Sequence, residues 1–438
     1  PLTPDDAVAL FTTRARAIDP SWDAATHGGH ARIAELVDQL DRLPLTIEMA
    51  AARLASMTFD ELEAAVAEGA RLVQLTHRTP TRRHRTLASL VEWSADLLEP
   101  EHRAVFVDCS VFAGAVTAAD AAAVLGPGRS GAIAELVDRS LLAVDLGGSS
   151  ARYRMLDTVR TVAAGWLRER GDAPVVHRRH AVAVAEWLER ADEALRGPDE
   201  SSGRRRLADI TDELRHAHRW AREHDVELAE RLDGLLHLPT YNRLWAEPAM
   251  WARELLDRSS TEALLPAARV LSAGAAVNAG DLDAARREGE RVVAAVDVPL
   301  HVLGAAHDVL SDVALYGGRH DDVELHTTAM LAIADELDDP HLRVLATVNR
   351  AVLLTFTGSA ADGLAVLDTL DRSVMSRSSL AWVAYAAGEA HVGRGASDRA
   401  VDEFGRAIDL GASVENPFVT SVARSALAAE LARSGSTR

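Results

Sequence analysis

Apolar residues recur every three to four positions along most of this chain, the spacing that places them on one face of an α-helix. The first 75 residues show no strand-like alternation, and their recurring apolar positions are Val8, Phe11, Ala15, Ile18, Ile33, Leu36, Val37, Leu40 and Leu43. Residues 76–85 differ, because they are rich in arginine and histidine and lack large apolar side chains. The pattern predicts a helical subdomain over 1–75 and a basic linker over 76–85.

The period changes in the middle of the chain, over 86–170. Apolar positions at helical spacing continue through Leu87, Leu90, Val91, Leu97 and Leu98, and two short helices are predicted over 116–125 and 133–141. Alternating residues over 142–146 and 152–155 then flank the turn Gly147-Gly148-Ser149-Ser150, which is typical of a β-hairpin. Asp157 is expected to cap the helix that follows. Helices with one hairpin predict a winged-helix-like domain over 86–170.

The region over 175–438 has helical spacing throughout and an internal repeat. Gly280, Gly318, Gly358 and Gly395 follow one another at intervals of 38, 40 and 37 residues, the period of a helix-pair repeat. The last unit fits the tetratricopeptide pattern best, through Gly388, Gly395, Ala400, Phe404 and Ala407. Val323 and Gly363 stand at the small-residue position of the middle units, so the repeats are degenerate. The predicted fold is mainly α, ending in a tetratricopeptide-like superhelix whose groove suits a peptide or a partner protein.

Composition narrows the class of protein. The chain has 438 residues, 48% of them hydrophobic, which is enough for two to four domains with cores. Its one cysteine, Cys109, has apolar neighbours, so we expect a buried thiol, no internal disulfide and a reducing, cytoplasmic location. No membrane segment or signal peptide is evident, and Pro1 suggests a fragment or a processed piece.

The charge of the chain and its lack of lysine argue against nucleic-acid binding and against lysine-dependent catalysis. The net charge is −19, and all 47 cationic side chains are arginine. The third helix of the winged-helix-like domain carries Glu135 and Asp138, so we expect no direct DNA contact by this chain. Without lysine there is no phosphate loop that ends in Gly-Lys-Ser/Thr and no Schiff base. We therefore expect no enzymatic activity from these residues alone.

Two histidine groups were weighed as metal ligands. His177 and His180 are three residues apart, and His216 and His218 flank one alanine. No carboxylate stands at matching spacing, so both groups are predicted to be solvated helix faces and no metal site is expected.

One segment resembles a nucleotide-binding element. Arg42-Leu43-Pro44-Leu45 opens an Ala-rich helix, which by itself is also what an ordinary core helix shows. The segment is similar to the Gly-Leu-Pro-Leu motif of bacterial STAND-type ATPases, large transcriptional regulators with an NB-ARC-like nucleotide module. Further motifs of that family follow in the same order over 83–87, 93–98, 110–114, 136–141, 153–160 and 214–217. The resemblance covers nearly the whole chain and corresponds to the back half of such a protein.

The resemblance implies a nucleotide site. In the family the proline packs against adenine, which assigns Pro44, with Leu43 and Leu45, to the adenine side. Leu156 takes the place of the family's sensor histidine, which contacts the diphosphate. Leucine cannot donate a hydrogen bond, so Arg154 and Arg160 were weighed as substitutes. Arg42 stands where the motif has glycine and is expected to crowd the approach to the nucleotide.

The function that the resemblance implies is the regulatory and sensor portion of a nucleotide switch. The front half, with the phosphate loop and the magnesium-binding acids, is not in these residues, so ATP or ADP and Mg²⁺ are assigned to the full-length protein and no cofactor to this chain. The expected partners are the N-terminal nucleotide-binding core and a peptide or protein in the repeat groove, and oligomerisation on activation is left open. The alternative is a tetratricopeptide scaffold with no nucleotide role.

Overall fold

Helices form wherever apolar residues repeat at three- or four-residue spacing, and they dominate the computed structural model. The structure describes residues 2–27, 29–40, 42–55, 57–75, 88, 91–126, 128–129, 131–148, 150–259 and 264–434. The predicted basic linker and the motif over 83–87 lie outside these residues. The chain divides into two units, Pro1–Ala183 and Val184–Arg438.

The first unit begins with four helices around an aromatic core. They are α1 (Pro4–Ile18), α2 (Gly29–Gln39), α3 (Pro44–Ala52) and α4 (Phe59–Leu75), with 3₁₀ turns at Ala24–His27 and Arg53–Ala55. Phe11, Trp22 and Phe59 meet edge-on or tilted, with ring centroids 5.9–6.4 Å apart. Most of the predicted apolar stripe is buried, although Ile18 is exposed and Leu43 only half-buried.

The rest of the first unit combines short helices with an antiparallel sheet. Its helices are α5 (Pro100–Asp108), α6 (Ala118–Leu125), α7 (Gly131–Asp138) and α8 (Asp157–Arg170), and its strands are β1 (Val116–Thr117), β2 (Ala143–Asp145) and β3 (Arg152–Arg154). The predicted hairpin corresponds to β2 and β3, and β1 joins it in the order β1-β3-β2. Val116 and Thr117 were expected inside a helix. They are extended because Thr117 caps α6, exchanging hydrogen bonds with Asp120 in a capping box.

Two local expectations in this part can be compared with the structure. Cys109 is buried as expected, and burial together with the nearby Asp108 carboxylate raises the pKa of its thiol to about 12. Asp157 does not cap the next helix. Leu156 is the N-cap residue instead, and the Asp157 carboxylate accepts a 2.7 Å hydrogen bond from Arg160.

The second unit is built from helices that pair in sequence order. The helix α9 (Ala173–Arg196) runs through the division between the units. The following helices are α10 (Glu200–His224), α11 (Val226–Arg243), α12 (Ala246–Arg258), α13 (Pro266–Asn278), α14 (Leu282–Val293), α15 (Leu300–Tyr316), α16 (His320–Leu337), α17 (Pro340–Phe356), α18 (Ala360–Leu367), α19 (Arg377–Gly393), α20 (Ser397–Ser413) and α21 (Pro417–Ser434). The expected mainly-α fold is confirmed.

The four repeat glycines each end one helix of a pair and lead into the next. All four have positive φ, between +66° and +92°, a conformation that glycine adopts without the Cβ clash of other residues. The amide after each glycine bonds to a carbonyl five residues earlier, as Ala396 does to His391 at 2.9 Å. In the last pair Phe404 is fully buried against Gly388, where a Cβ atom would lie 2.5 Å from the ring. Close approach of the paired helices therefore depends on this glycine.

The superhelix of the second unit closes on itself. Helix α11 packs against α21, and Tyr241 meets Phe418 with ring centroids 5.0 Å apart. Glu200, at the start of α10, accepts hydrogen bonds from the Ser378 amide at 2.9 Å and from its hydroxyl at 2.5 Å. Asn416 donates to the same hydroxyl at 3.0 Å. We call the Glu200–Ser378–Asn416 contacts the closing cluster, because they join the start of α10 to the start of α19 and to the residue before α21.

None of the helices in the described part of the chain is long and apolar enough to cross a membrane.

Candidate functional site

The resemblance-derived nucleotide residues lie at the start of helix α3. Pro44 is the first helical residue and is exposed, whereas its neighbours Leu43 and Leu45 are half-buried. The buried Thr46 hydroxyl lies 2.7 Å from the Leu40 carbonyl and 2.9 Å from that of Leu43, so it ties this helix start to the end of α2. These hydrogen bonds therefore fix the start of α3, where the exposed proline ring lies.

Arg42 occupies a backbone position that favours glycine. Its φ is +51°, and its amide bonds to the Val37 carbonyl at 3.0 Å, which ends α2. The side chain forms an ion pair with Asp38 at 3.2 Å. The glycine of the related motif therefore suits the backbone turn itself.

Leu156, at the position of the family's sensor histidine, caps helix α8 and is half-buried. Of the weighed substitutes, Arg154 is exposed at the end of β3. Arg160 is used locally, because its guanidinium donates to the Ala113 carbonyl at 3.2 Å and to Asp157. Helix α8 packs against α5, whereas α3 packs against α1, so Pro44 and Leu156 lie on separate elements.

A buried carboxylate that the sequence analysis missed organises the second part of the first unit. Asp108 is buried and its oxygens contact three guanidinium groups: Arg170 most closely, Arg179 at 3.4 Å and Arg129 at 3.5 Å. Three cations around one buried acid compensate its lost hydration, so the cluster holds α5, α8 and α9 together within this unit.

The second unit contains a cavity of about 210 Å³, which we call the groove cavity. Its wall comes mainly from the first helix of each pair: α11, α13, α15, α17, α19 and α21. These helices line the inside of the superhelix, whose early helix α11 packs against its last helix α21. The shape fits a small molecule better than a folded partner.

Two carboxylates on α15 face the groove cavity. Asp308 and Asp312 are one turn apart and therefore share a helix face. Asp312 accepts a hydrogen bond from Asn349 at 2.9 Å and a shorter one from the Tyr241 hydroxyl. Asp308 is buried, with 6% of its surface exposed, and among the described residues it has no hydrogen bond or ion pair.

Burial changes the acid–base chemistry of this pair. Burial and the neighbouring Asp312 carboxylate raise the pKa of Asp308 well above its usual value. Burial also raises the pKa of Asp312 to about 6, against the hydrogen bonds that favour its charged form. Each carboxylate is costly to ionise without a cation nearby.

Among the described lining residues, Arg196 is the charged basic group, and its charge partly offsets the raised pKa of Asp308. Arg196 is already paired with Asp192 at 2.7 Å and with Asp339 at 3.8 Å. Burial, with the nearby Arg196 charge, lowers the pKa of His237 to about 4 and that of His341 to about 3, so both are neutral at pH 7. His237 Nδ1 and His341 Nε2 are buried without a hydrogen-bond partner.

Aromatic rings form much of the remaining wall. Trp382 and Tyr385 on α19 meet edge-on at 5.8 Å, and Tyr241 lies across from them on α11. Tyr316 and Phe356 are about half exposed, at 53% and 55%, and stand at the ends of their helices. The groove cavity thus combines two buried carboxyl groups with π faces.

The sequence of α15 contains a pattern that indicates the acidic pair of the groove cavity. Over 300–316 nearly every residue is apolar or small except His301, His307, Asp308 and Asp312. Acids four residues apart in an apolar helix are buried or face a cavity, which marks a candidate site.

The two histidine groups were wrongly predicted as solvated faces. His180 and His218 are fully buried. His180 packs edge-on against Phe112 at 5.8 Å, and His218 Nε2 lies 2.7 Å from an Asp233 oxygen. The error arose because Asp233 belongs to the next helix and no local spacing reveals it. Within the described ranges, no three histidine, cysteine or acidic side chains are grouped to hold a metal ion.

The chain is similar to known proteins in sequence and in fold. A protein of Mycobacterium tuberculosis named as an HTH-type transcriptional regulator is 31% identical over 286 residues, covering 58% of this chain and 32% of that protein. An uncharacterized protein of Mycobacterium bovis is 34% identical over 183 residues, covering 40% of this chain and 46% of its own length. The chain thus spans less than half of these relatives. No family model matches.

The fold likeness extends over both units. The crystal structure of a Signal Transduction ATPase with Numerous Domains (STAND) protein with a tetratricopeptide repeat sensor, from Pyrococcus horikoshii, matches with a TM-score of 0.58 at 14% identity. The match covers 99% of this chain and 57% of that chain. The resemblance to STAND proteins that the motifs predicted is confirmed at the level of the fold.

Proposed function

We propose that this chain is the regulatory and sensor portion of a STAND-type signalling protein that controls transcription through a nucleotide-dependent switch. The observation that carries the proposal is the fold likeness over 99% of the chain, because it includes both the α3 region and the repeat region. The relative named as a transcriptional regulator supports the regulatory role.

Within this proposal Pro44 contacts the adenine ring of a bound ATP or ADP. Its ring is exposed at the first position of α3, and Leu43 and Leu45 supply apolar surface beside it. The phosphates and Mg²⁺ are held by a nucleotide-binding core outside these residues, and this chain does not hydrolyse ATP by itself. Leu156 contributes no donor, so the diphosphate is held by other groups.

Calorimetric titration with ADP tests the nucleotide role, using a protein that carries this chain behind its nucleotide-binding core. Pro44→Arg should weaken ADP binding at least tenfold, because it places a charged chain where the base would pack. Pro100→Arg is the matched control, since Pro100 is also an exposed first helical residue and should leave binding unchanged. Equal ADP binding by all three proteins would mean that Pro44 does not contact the base, and absence of binding from all three would favour the alternative of a scaffold without a nucleotide role.

A further inference from the structure

We propose that the groove cavity binds a small organic cation, held by Asp308 and Asp312 and by the aromatic side chains around them. The inference rests on the proposed sensor role of the repeats and names the class of molecule sensed. Its test concerns only the second unit and uses no nucleotide, so it can fail independently of the nucleotide switch.

The charges of the groove cavity favour a cation. Arg196 in its wall is paired with two acids, while Asp308 accepts no hydrogen bond in the described residues. A ligand ammonium would supply a cation directly beside the two carboxyl groups and would displace the proton that they retain. An anion would find no unpaired cationic side chain among the described lining residues.

The shape and the walls favour an organic molecule over an inorganic ion. The described residues form no group of three metal-ligating side chains, and the cavity of about 210 Å³ is far larger than an ion needs. Trp382, Tyr385 and Tyr241 offer π faces, which attract ammonium groups and pack against apolar carbon. His341, a nine-tenths buried residue of the cavity wall, adds the nitrogen Nε2, which has no hydrogen-bond partner. A buried polar atom without a partner indicates that the cavity can contact a polar group of a ligand.

Three phenylalkyl compounds of similar size and different charge test the proposal: phenethylamine, 2-phenylethanol and 3-phenylpropanoate. Binding to the full chain is measured by calorimetry. Phenethylamine should bind at least tenfold more tightly than the alcohol, and the carboxylate should not bind. Equal binding of amine and alcohol would overturn the proposal in favour of a neutral hydroxyl ligand, and failure of the amine to bind would overturn it outright.

Two variants test whether phenethylamine binds beside Asp308. Asp308→Asn keeps the size of the side chain and should weaken phenethylamine at least tenfold without changing the weak binding of the alcohol. Asp362→Asn is the matched control, because Asp362 is exposed on α18 away from the groove cavity. Circular dichroism verifies that both variants fold. Unchanged affinity in a folded Asp308→Asn protein would contradict the proposal.

Discussion

At the scale of single residues, two positions are energetically unfavourable: one has a strained backbone conformation, and the other has a buried acid without a hydrogen bond. Arg42 holds a left-handed backbone conformation that costs a residue with a Cβ atom about 1–2 kcal/mol. Asp308 keeps a buried carboxyl group that has no hydrogen bond among the described residues. Both positions lie at proposed contact sites, where function can justify a loss of stability.

Arg42→Gly should stabilise the first unit by about 0.5–1 kcal/mol, because the relief of the positive φ exceeds the added freedom of the unfolded chain. Urea unfolding monitored by circular dichroism measures the change. Arg42→Ala removes the Asp38 ion pair while keeping the strain, so it should show no gain. A gain as large in Arg42→Ala would mean that the side chain, rather than the backbone, is unfavourable.

Asp308→Asn should stabilise the second unit by about 1–3 kcal/mol at pH 7 and by much less near pH 4. The pKa of Asp308 is raised on folding, so the native state binds more protons than the unfolded state above pH 4, and wild-type stability falls as the pH rises through this range. Thermal unfolding at several pH values should show the two proteins diverging upward from pH 4. A constant difference across the range would indicate that the ionisation of Asp308 is not its cause.

At the scale of elements, the sequence predicts the turns between helices better than it predicts the side-chain contacts between helices. The glycines at 280, 318, 358 and 395 predicted where helices end because only the local backbone conformation decides that. The hairpin was predicted for the same reason. The Asp233 partner of His218 was not, since it depends on how two helices face each other.

Glycine serves two different purposes in the last repeat, and alanine separates them. Gly395→Ala should destabilise the second unit by about 1 kcal/mol, because φ is +70° although nothing lies within 4 Å of a new Cβ atom. Gly405→Ala lies in the interior of α20 with equal space and ordinary φ, so it should stabilise by about 0.5–1 kcal/mol. Denaturant unfolding of both variants gives the comparison, and the same sign in both would refute the backbone explanation.

At the scale of the whole molecule, the closing cluster is the feature that local sequence could not predict. It depends on the rotation accumulated over successive helix pairs, which no single repeat specifies. The sequence therefore predicted a groove for a peptide or partner protein, whereas the structure encloses a cavity. The peptide or protein partner stays a prediction. The nucleotide roles of Pro44 and Leu156 also still rest on the resemblance alone, because a shared ligand would have to contact two elements that are distant in sequence.

Ser378→Ala should destabilise the second unit by about 1–3 kcal/mol, because it leaves the buried Glu200 and Asn416 groups short of a partner. Ser413→Ala removes an exposed hydroxyl from α20 and should change stability by less than about 0.5 kcal/mol. Hydrogen exchange should show faster opening at the starts of both α10 and α21 in the Ser378 variant. Faster exchange confined to α19 would mean that the cluster does not connect the two ends.

The closing cluster also has a consequence during synthesis. Glu200 and Ser378 are 178 residues apart, so at 5–20 residues per second the ribosome delivers the partner of Glu200 roughly 10–40 s after Glu200 itself. Until then the early helices expose the apolar and acidic wall that later becomes internal. A nascent chain therefore has no enclosed cavity, and any ligand that needs one can be sensed only by a finished protein.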